Sequence, residues 1–187
     1  MGLLQMKGII FTEFIEMVES RFSVEVAEQI IEAADLPSGG SYTSLGTYSH
    51  HEVLKLVIKL SSVSGVNPAD LQFVFGEYLF GRFNEVHPEF FDGVQGSFEF
   101  LSKVQEYIHV EVRKLYSEAN PPTLTCKRID ERHMELHYAS HRPFAPLAFG
   151  LIKGCGIHFG ENLTIHYEPL LGTGDGTEAR FHLTLEG

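Results

Sequence analysis

The hydrophobic pattern changes period along this chain. Up to about residue 115 apolar side chains recur every three to four positions; after Pro121-Pro122 they alternate. From Gly8 to Phe22, Ile10, Phe14, Ile15, Val18 and Phe22 form one stripe of a helix. Ser23 predicts the cap of a second helix, with Val26, Ile30, Ile31 and Ala34 inward, closed by Pro37-Ser38-Gly39-Gly40. Ser41 to Tyr48 reads as a polar loop. His50 to Ser62 is a third helix, and Asn67-Pro68 opens a fourth that carries Leu71, Val74, Phe75, Tyr78, Leu79 and Phe83. Pro88 starts a short aromatic segment with Phe90 and Phe91. Ser97 predicts the cap of a long helix through Phe98, Leu101, Val104, Ile108, Val112 and Leu115, which the proline pair ends.

Beyond the prolines, Met134, Leu136 and Tyr138 alternate with Glu135 and His137, the pattern of a half-buried strand. Thr123 to Arg128 is its expected hairpin partner, with Asp130 and Glu131 in the turn. Leu147 to Phe159 returns to helical spacing. Leu163, Ile165 and Tyr167 alternate, Gly172 to Gly176 reads as a turn, and Phe181, Leu183 and Leu185 alternate again. Helices first, then a four-stranded antiparallel sheet with one inserted helix, is an α+β arrangement, not a βαβ one. The expected organisation is one domain, with a helical part over about 1–65 and a sheet-containing part over about 66–187.

Composition narrows the function. The 187 residues are 43% hydrophobic and 21% charged, enough for a core without disulfides. A formal charge of −11 disfavours nucleic acid and anionic membrane surfaces as partners. No run approaches the roughly 18 apolar residues of a membrane span, and Met1 to Gln5 lacks the features of a signal peptide. Cys126 and Cys155 form no CxxC pair and read as reduced thiols of a cytoplasmic protein. Fifteen Phe and ten His without any Trp suit a large apolar cavity containing imidazole.

Two elements could carry chemistry. His109 sits in Tyr107-Ile108-His109-Val110-Glu111-Val112, with Gln105 four residues before it and Val112 three after. An imidazole on a largely apolar stripe is either a hydrogen-bonded core residue or an axial donor to haem iron. In Tyr138-Ala139-Ser140-His141-Arg142, a continued strand places Tyr138, Ser140 and Arg142 on one face. Two hydroxyls and a guanidinium suit a pair of carboxylates, or merely end a strand with polar groups. Other chemistries find less support. Ser140-His141 lacks a nucleophile elbow, Gly172–Gly176 lacks the end of a P-loop, and His50-His51 lacks metal-ligand spacing. A haem-dependent peroxidase needs distal acid–base groups, for which no residues are placed. A haem-free interaction module is a third possibility.

These elements together resemble the H-NOX family, the haem nitric oxide/oxygen binding domains that include the sensor of soluble guanylate cyclases. The resemblance rests on Met6-Lys7-Gly8-Ile9-Ile10, on Ile108-His109-Val110-Glu111-Val112 and on Pro121-Pro122. It rests also on Met134 to Arg142 with its Tyr-x-Ser-x-Arg signature, and on Gly150-Leu151-Ile152-Lys153-Gly154. It spans about Met6 to Leu185. It implies a stand-alone bacterial sensor with haem b (iron protoporphyrin IX) buried between the helical and sheet parts. His109 would ligate the iron, while Tyr138, Ser140 and Arg142 would clamp the propionates and Pro122 would press on the porphyrin. Ile10, Phe14, Leu79, Phe83 and Leu147 fall where the distal pocket of the family lies.

Oxygen-binding members carry a distal tyrosine whose hydroxyl donates to bound dioxygen. Here that position corresponds to Leu147, which implies binding of nitric oxide and carbon monoxide with discrimination against dioxygen, unless Tyr78 turns inward. The family further implies that nitric oxide weakens the His109–iron bond and releases its helix. With no kinase, cyclase or phosphodiesterase segment after Leu185, the expected output is a separate effector, a histidine kinase or a cyclic-di-GMP enzyme.

Overall fold

A computed structural model describes residues 5–116, 119–170 and 176–186. Seven α-helices are assigned in the described residues: α1 Gly8–Arg21, α2 Val24–Ala33, α3 His50–Ser64, α4 Pro68–Val86, α5 Ser97–Lys103, α6 His109–Leu115 and α7 Ala145–His158. Strands β1 Gln5–Lys7 and β2 Thr47–Ser49 form a short antiparallel ladder. Strands β3 Thr123–Arg128, β4 His133–Ala139, β5 Leu163–Pro169 and β6 Glu178–Leu185 form an antiparallel sheet in the order β3-β4-β6-β5. The class is α+β, as the change of period requires.

Local chemistry explains most boundaries. The Ser23 hydroxyl accepts from the Val26 amide at 3.3 Å, and Asn67 Oδ1 accepts from the Ala69 amide at 2.8 Å with Pro68 in the first turn. Each such cap stabilises its helix by about 1 kcal/mol. Helix α1 has no side-chain cap. Its first amides are met instead by the backbone, Gly8 donating to Gly46 at 2.8 Å and Ile9 to Ser44 at 3.0 Å.

Two apolar cores share one helix. Phe11, Phe14, Met17, Leu56, Leu60 and Phe75 belong to a cluster built by α1 to α4. Phe98, Leu101, Leu136, Ile152, Phe181 and Leu183 belong to a second, under the sheet. Leu79 joins the first and its neighbour Phe80 the second, so α4 is a wall common to both. On the sheet, Met134 faces Leu183 and Leu136 faces Phe181 on the buried side. The outer side carries charge: His182 lies between Glu135 at 3.8 Å and Glu168 at 3.4 Å.

The structure departs from the sequence expectations at four places. The expected helix from Ser97 to Leu115 is interrupted by a π turn over Val104–Ile108, so His109 opens a separate helix. Ser97 is not the cap. Gly96 holds that position, and the Glu161 carboxylate, 64 residues away, accepts from the Ser97 amide at 3.0 Å. Part of the expected loop before His50 is strand β2, because an extended Gln5–Lys7 offers it a partner. Strand β4 stops at Ala139, when the Ser140 amide turns to the Thr177 carbonyl at 2.8 Å. The turn expected at Gly172–Gly176 lies outside the described residues except for Gly176.

Helices α4 and α7 cross at glycine. A Cβ on Gly150 would collide with the Phe73 carbonyl oxygen, and one on Gly76 with the Leu147 carbonyl oxygen. Gly150→Ala is therefore expected to force the two helices apart at a cost of about 1–3 kcal/mol or more. Urea unfolding of the purified protein would measure it, and an unchanged midpoint would refute the contact.

Candidate functional site

The two cores leave a cavity between them, with about 270 Å³ open to the centres of water-sized molecules. Its walls are almost wholly carbon. One wall comes from the helical core, where Ile10 of α1, Leu79 and Phe83 of α4 and Leu147 of α7 reach the cavity. The other comes from the sheet core, with Ile108, Val112 and Leu124 beside His109. Pro121 and Pro122 line the cavity between α6 and β3.

His109 is the one histidine on the second wall's helix. Its amide donates to the Val104 carbonyl five residues back, the bond that defines the π turn. Burial, with a smaller push from the Arg113 charge, lowers its pKa to about 4. Loss of solvation disfavours the imidazolium, so at neutral pH the ring is a free base with a lone pair.

Arg142 is 7% exposed and lines the cavity. Its guanidinium donates to the Gln5 carbonyl at 2.8 Å and to the Asn120 carbonyl. Burial depresses its pKa, and the nearby Tyr138 hydroxyl opposes that shift. Among the described residues no carboxylate is paired with it, which leaves a buried positive charge met only by neutral groups. Tyr138 is 2% exposed, and burial raises its phenol to about 12, so it stays protonated and can donate. The Ser140 hydroxyl accepts from the Arg142 amide at 3.1 Å and shapes the turn that presents the guanidinium.

Of the ten residues singled out from sequence, nine line this cavity. Phe14 does not. It is fully buried one turn behind Ile10, edge-on to the Phe75 ring at 5.1 Å, and belongs to the helical core. The convergence of Tyr138, Ser140 and Arg142 is also not the work of strand alternation, since the strand has ended; a turn brings the last two back. Tyr78 is not among the lining residues. Glu13 and Arg82 are among the charges that act on it.

Other lining residues were not marked as site residues by the sequence. His87, which ends α4, lies 3.4 Å from the Tyr116 hydroxyl and 3.1 Å from Glu89. Nothing local distinguishes it from the other histidines. Gln105 lies four residues before His109, and that spacing is the signal for it. Its Oε1 is 2.9 Å from the Leu124 amide nitrogen and 3.4 Å from His109 Nδ1. Lys7 reaches the cavity, but its ammonium is turned to the Leu45 carbonyl at 3.0 Å and Thr47 Oγ1 at 3.1 Å.

This donor set fits haem. A flat apolar ring suits carbon walls, its iron suits one neutral imidazole, and its propionates suit a buried guanidinium lacking a carboxylate. Among the described residues no cluster of three or more His, Cys, Asp or Glu could hold a metal by itself. No helix of the described residues is long and apolar enough to cross a membrane.

Comparisons with known proteins agree. A family model described as haem-NO-binding matches residues 7–167. The structure is similar to that of the Fe(II) unliganded H-NOX protein from K. algicida, at 34% identity and a TM-score of 0.91 over 97% of each chain. It is similar to the H-NOX from Shewanella woodyi in the Fe(II)CO state, at 42% identity and a TM-score of 0.78 over 96% of this chain and 94% of that one. It is also similar to an H-NOX protein from S. oneidensis in the Fe(II)NO state, at 25% identity and a TM-score of 0.89 over 97% and 100%. No curated protein matches the chain. The apolar cavity, the buried neutral imidazole of His109 on its wall and these likenesses lead to one conclusion: the chain belongs to the haem-NO-binding (H-NOX) family of haem-based gas sensors.

Proposed function

We propose that this chain binds haem b through His109 and senses nitric oxide and carbon monoxide while discriminating against dioxygen. The carrying observation is the cavity itself, in which a neutral imidazole stands on one wall and hydrocarbon side chains make the other. When bound, haem supplies a ferrous iron able to take a diatomic gas. The chain supplies orientation and surroundings. His109 Nε2 would offer the lone pair, Arg142 and the hydroxyls of Tyr138 and Ser140 would hold the propionates, and Pro122 would pack against the ring.

Selectivity follows from what the helical wall lacks. Ile10, Leu79, Phe83 and Leu147 carry no hydrogen-bond donor. A gas that gathers negative charge on binding gains most from a donor, and dioxygen does so more than carbon monoxide. The rival reading, an oxygen-binding H-NOX sensor using Tyr78, is disfavoured because that residue is not part of the lining. Placement of Tyr138, Ser140 and Arg142 favours a sensor over a peroxidase, since none offers a distal acid–base group.

For output, we read the chain as one domain whose helical part, about 1–65, and sheet part, about 66–187, are joined by α4, which packs into both cores. Loss of the bond at His109 would free α6. The two parts would then move, and a separate cytoplasmic effector, a histidine kinase or a cyclic-di-GMP enzyme, would read the change.

Four measurements test this reading. Ferrous protein should show one spectrum under both argon and air, and new spectra under nitric oxide and carbon monoxide; a stable change in air refutes the discrimination. His109→Gly should lose haem and regain it with added imidazole, and an unaltered ferrous spectrum would refute the ligand. Arg142→Ala should release haem to a scavenging apoprotein about tenfold faster or more, the equivalent of a charged hydrogen bond. Leu147→Tyr should raise dioxygen affinity about tenfold or more, read by titration of the ferrous form with air-saturated buffer.

A further inference from the structure

We infer that Gln105 is the positioning residue that sets the proton on His109. This rests on the reading of His109 as an iron ligand. The argument starts at Leu124, whose backbone amide can only donate. The Gln105 atom 2.9 Å from it must therefore be the carboxamide oxygen. That same oxygen lies 3.4 Å from His109 Nδ1. An oxygen facing a ring nitrogen can only accept, so Nδ1 carries the hydrogen. A ring that ligates a metal is neutral and has one N–H, so a hydrogen held at Nδ1 leaves Nε2 bare with its lone pair free. The tautomer that a metal needs is thus chosen by Gln105 before any haem arrives.

The backbone makes this reach possible. The π turn over Val104–Ile108 spends an extra residue just where Gln105 must touch both β3 and His109. Leu124 stands two residues after Pro122, so a single oxygen joins three parts of the second wall: the helix, the strand and the proline corner. When α6 moves, Gln105 can stay with β3 through the shorter of its two bonds. The longer bond, to His109, is the one free to break. Changing the strength of that acceptor should therefore change how firmly the imidazole pushes on iron.

The test uses the full chain with and without haem. In the apoprotein, nitrogen–proton correlation of the His109 ring should show hydrogen on Nδ1. Gln105→Leu should lose that preference, and Gln105→Glu, which keeps an acceptor for Leu124 and His109, should retain it. In the ferrous protein the iron–histidine stretching band should fall in the leucine variant and rise in the glutamate variant. Haem affinity should drop roughly 10–100-fold in the first and recover in the second. A folded leucine variant with wild-type ring signals and an unshifted band overturns the inference. If the leucine variant does not fold, the glutamate variant decides: a raised band supports the inference and an unmoved one overturns it. A wild-type chain that takes up no haem would instead overturn the proposed function, while the apoprotein ring signals would still judge Gln105.

Discussion

An imidazole kept uncharged by hydrocarbon is the constraint on which the site depends. In water a histidine near neutral pH is divided between two charge states and two tautomers. Burial beside Ile108, Val112 and Leu124 removes the charged state, lowering the His109 pKa to about 4. Leu124 contributes in a second way, since its amide fixes the Gln105 oxygen that faces the ring. Apolar walls thus do more than seat a flat ligand. They prepare the one donor that would hold it.

Arg142 poses the opposite problem and solves it differently. A guanidinium does not give up its proton, so burial cannot neutralise it. Two backbone carbonyls receive it, Gln5 at the start of the described chain and Asn120 beside the proline pair. Those bonds draw together segments far apart in sequence, yet they leave the charge without a carboxylate among the described residues. A ligand with an anionic edge would complete it. One buried cation therefore ties together two distant segments at the cavity wall.

Helix α4 links these local facts to the whole. Its glycines let α7 approach backbone to backbone, which gives the fold a stiff centre. Successive residues Leu79 and Phe80 then face different cores. With one helix serving both cores, any shift of one half against the other would have to pass through residues that line the cavity.

Much of this was written in the chain itself. Hydrophobic period gave the helices, the order of helix and strand, and the α+β class. His109 and the Tyr138-Ser140-Arg142 group stood out as candidates because polar residues interrupt apolar patterns there, and only the resemblance to the H-NOX family attached the proposed roles to them. Tertiary structure decided the remainder. Periodicity put Phe14 on the same stripe as Ile10, but only packing showed that one turn further along the helix is core and not cavity. The helix at Ser97 looked continuous, because a π turn changes backbone bonding without altering the spacing of apolar residues enough to be read. The acceptor for its first amide came from Glu161, which no local pattern could announce. Sequence records which side chains prefer oil or water; which distant atom meets each leftover hydrogen bond is settled only when the chain closes on itself.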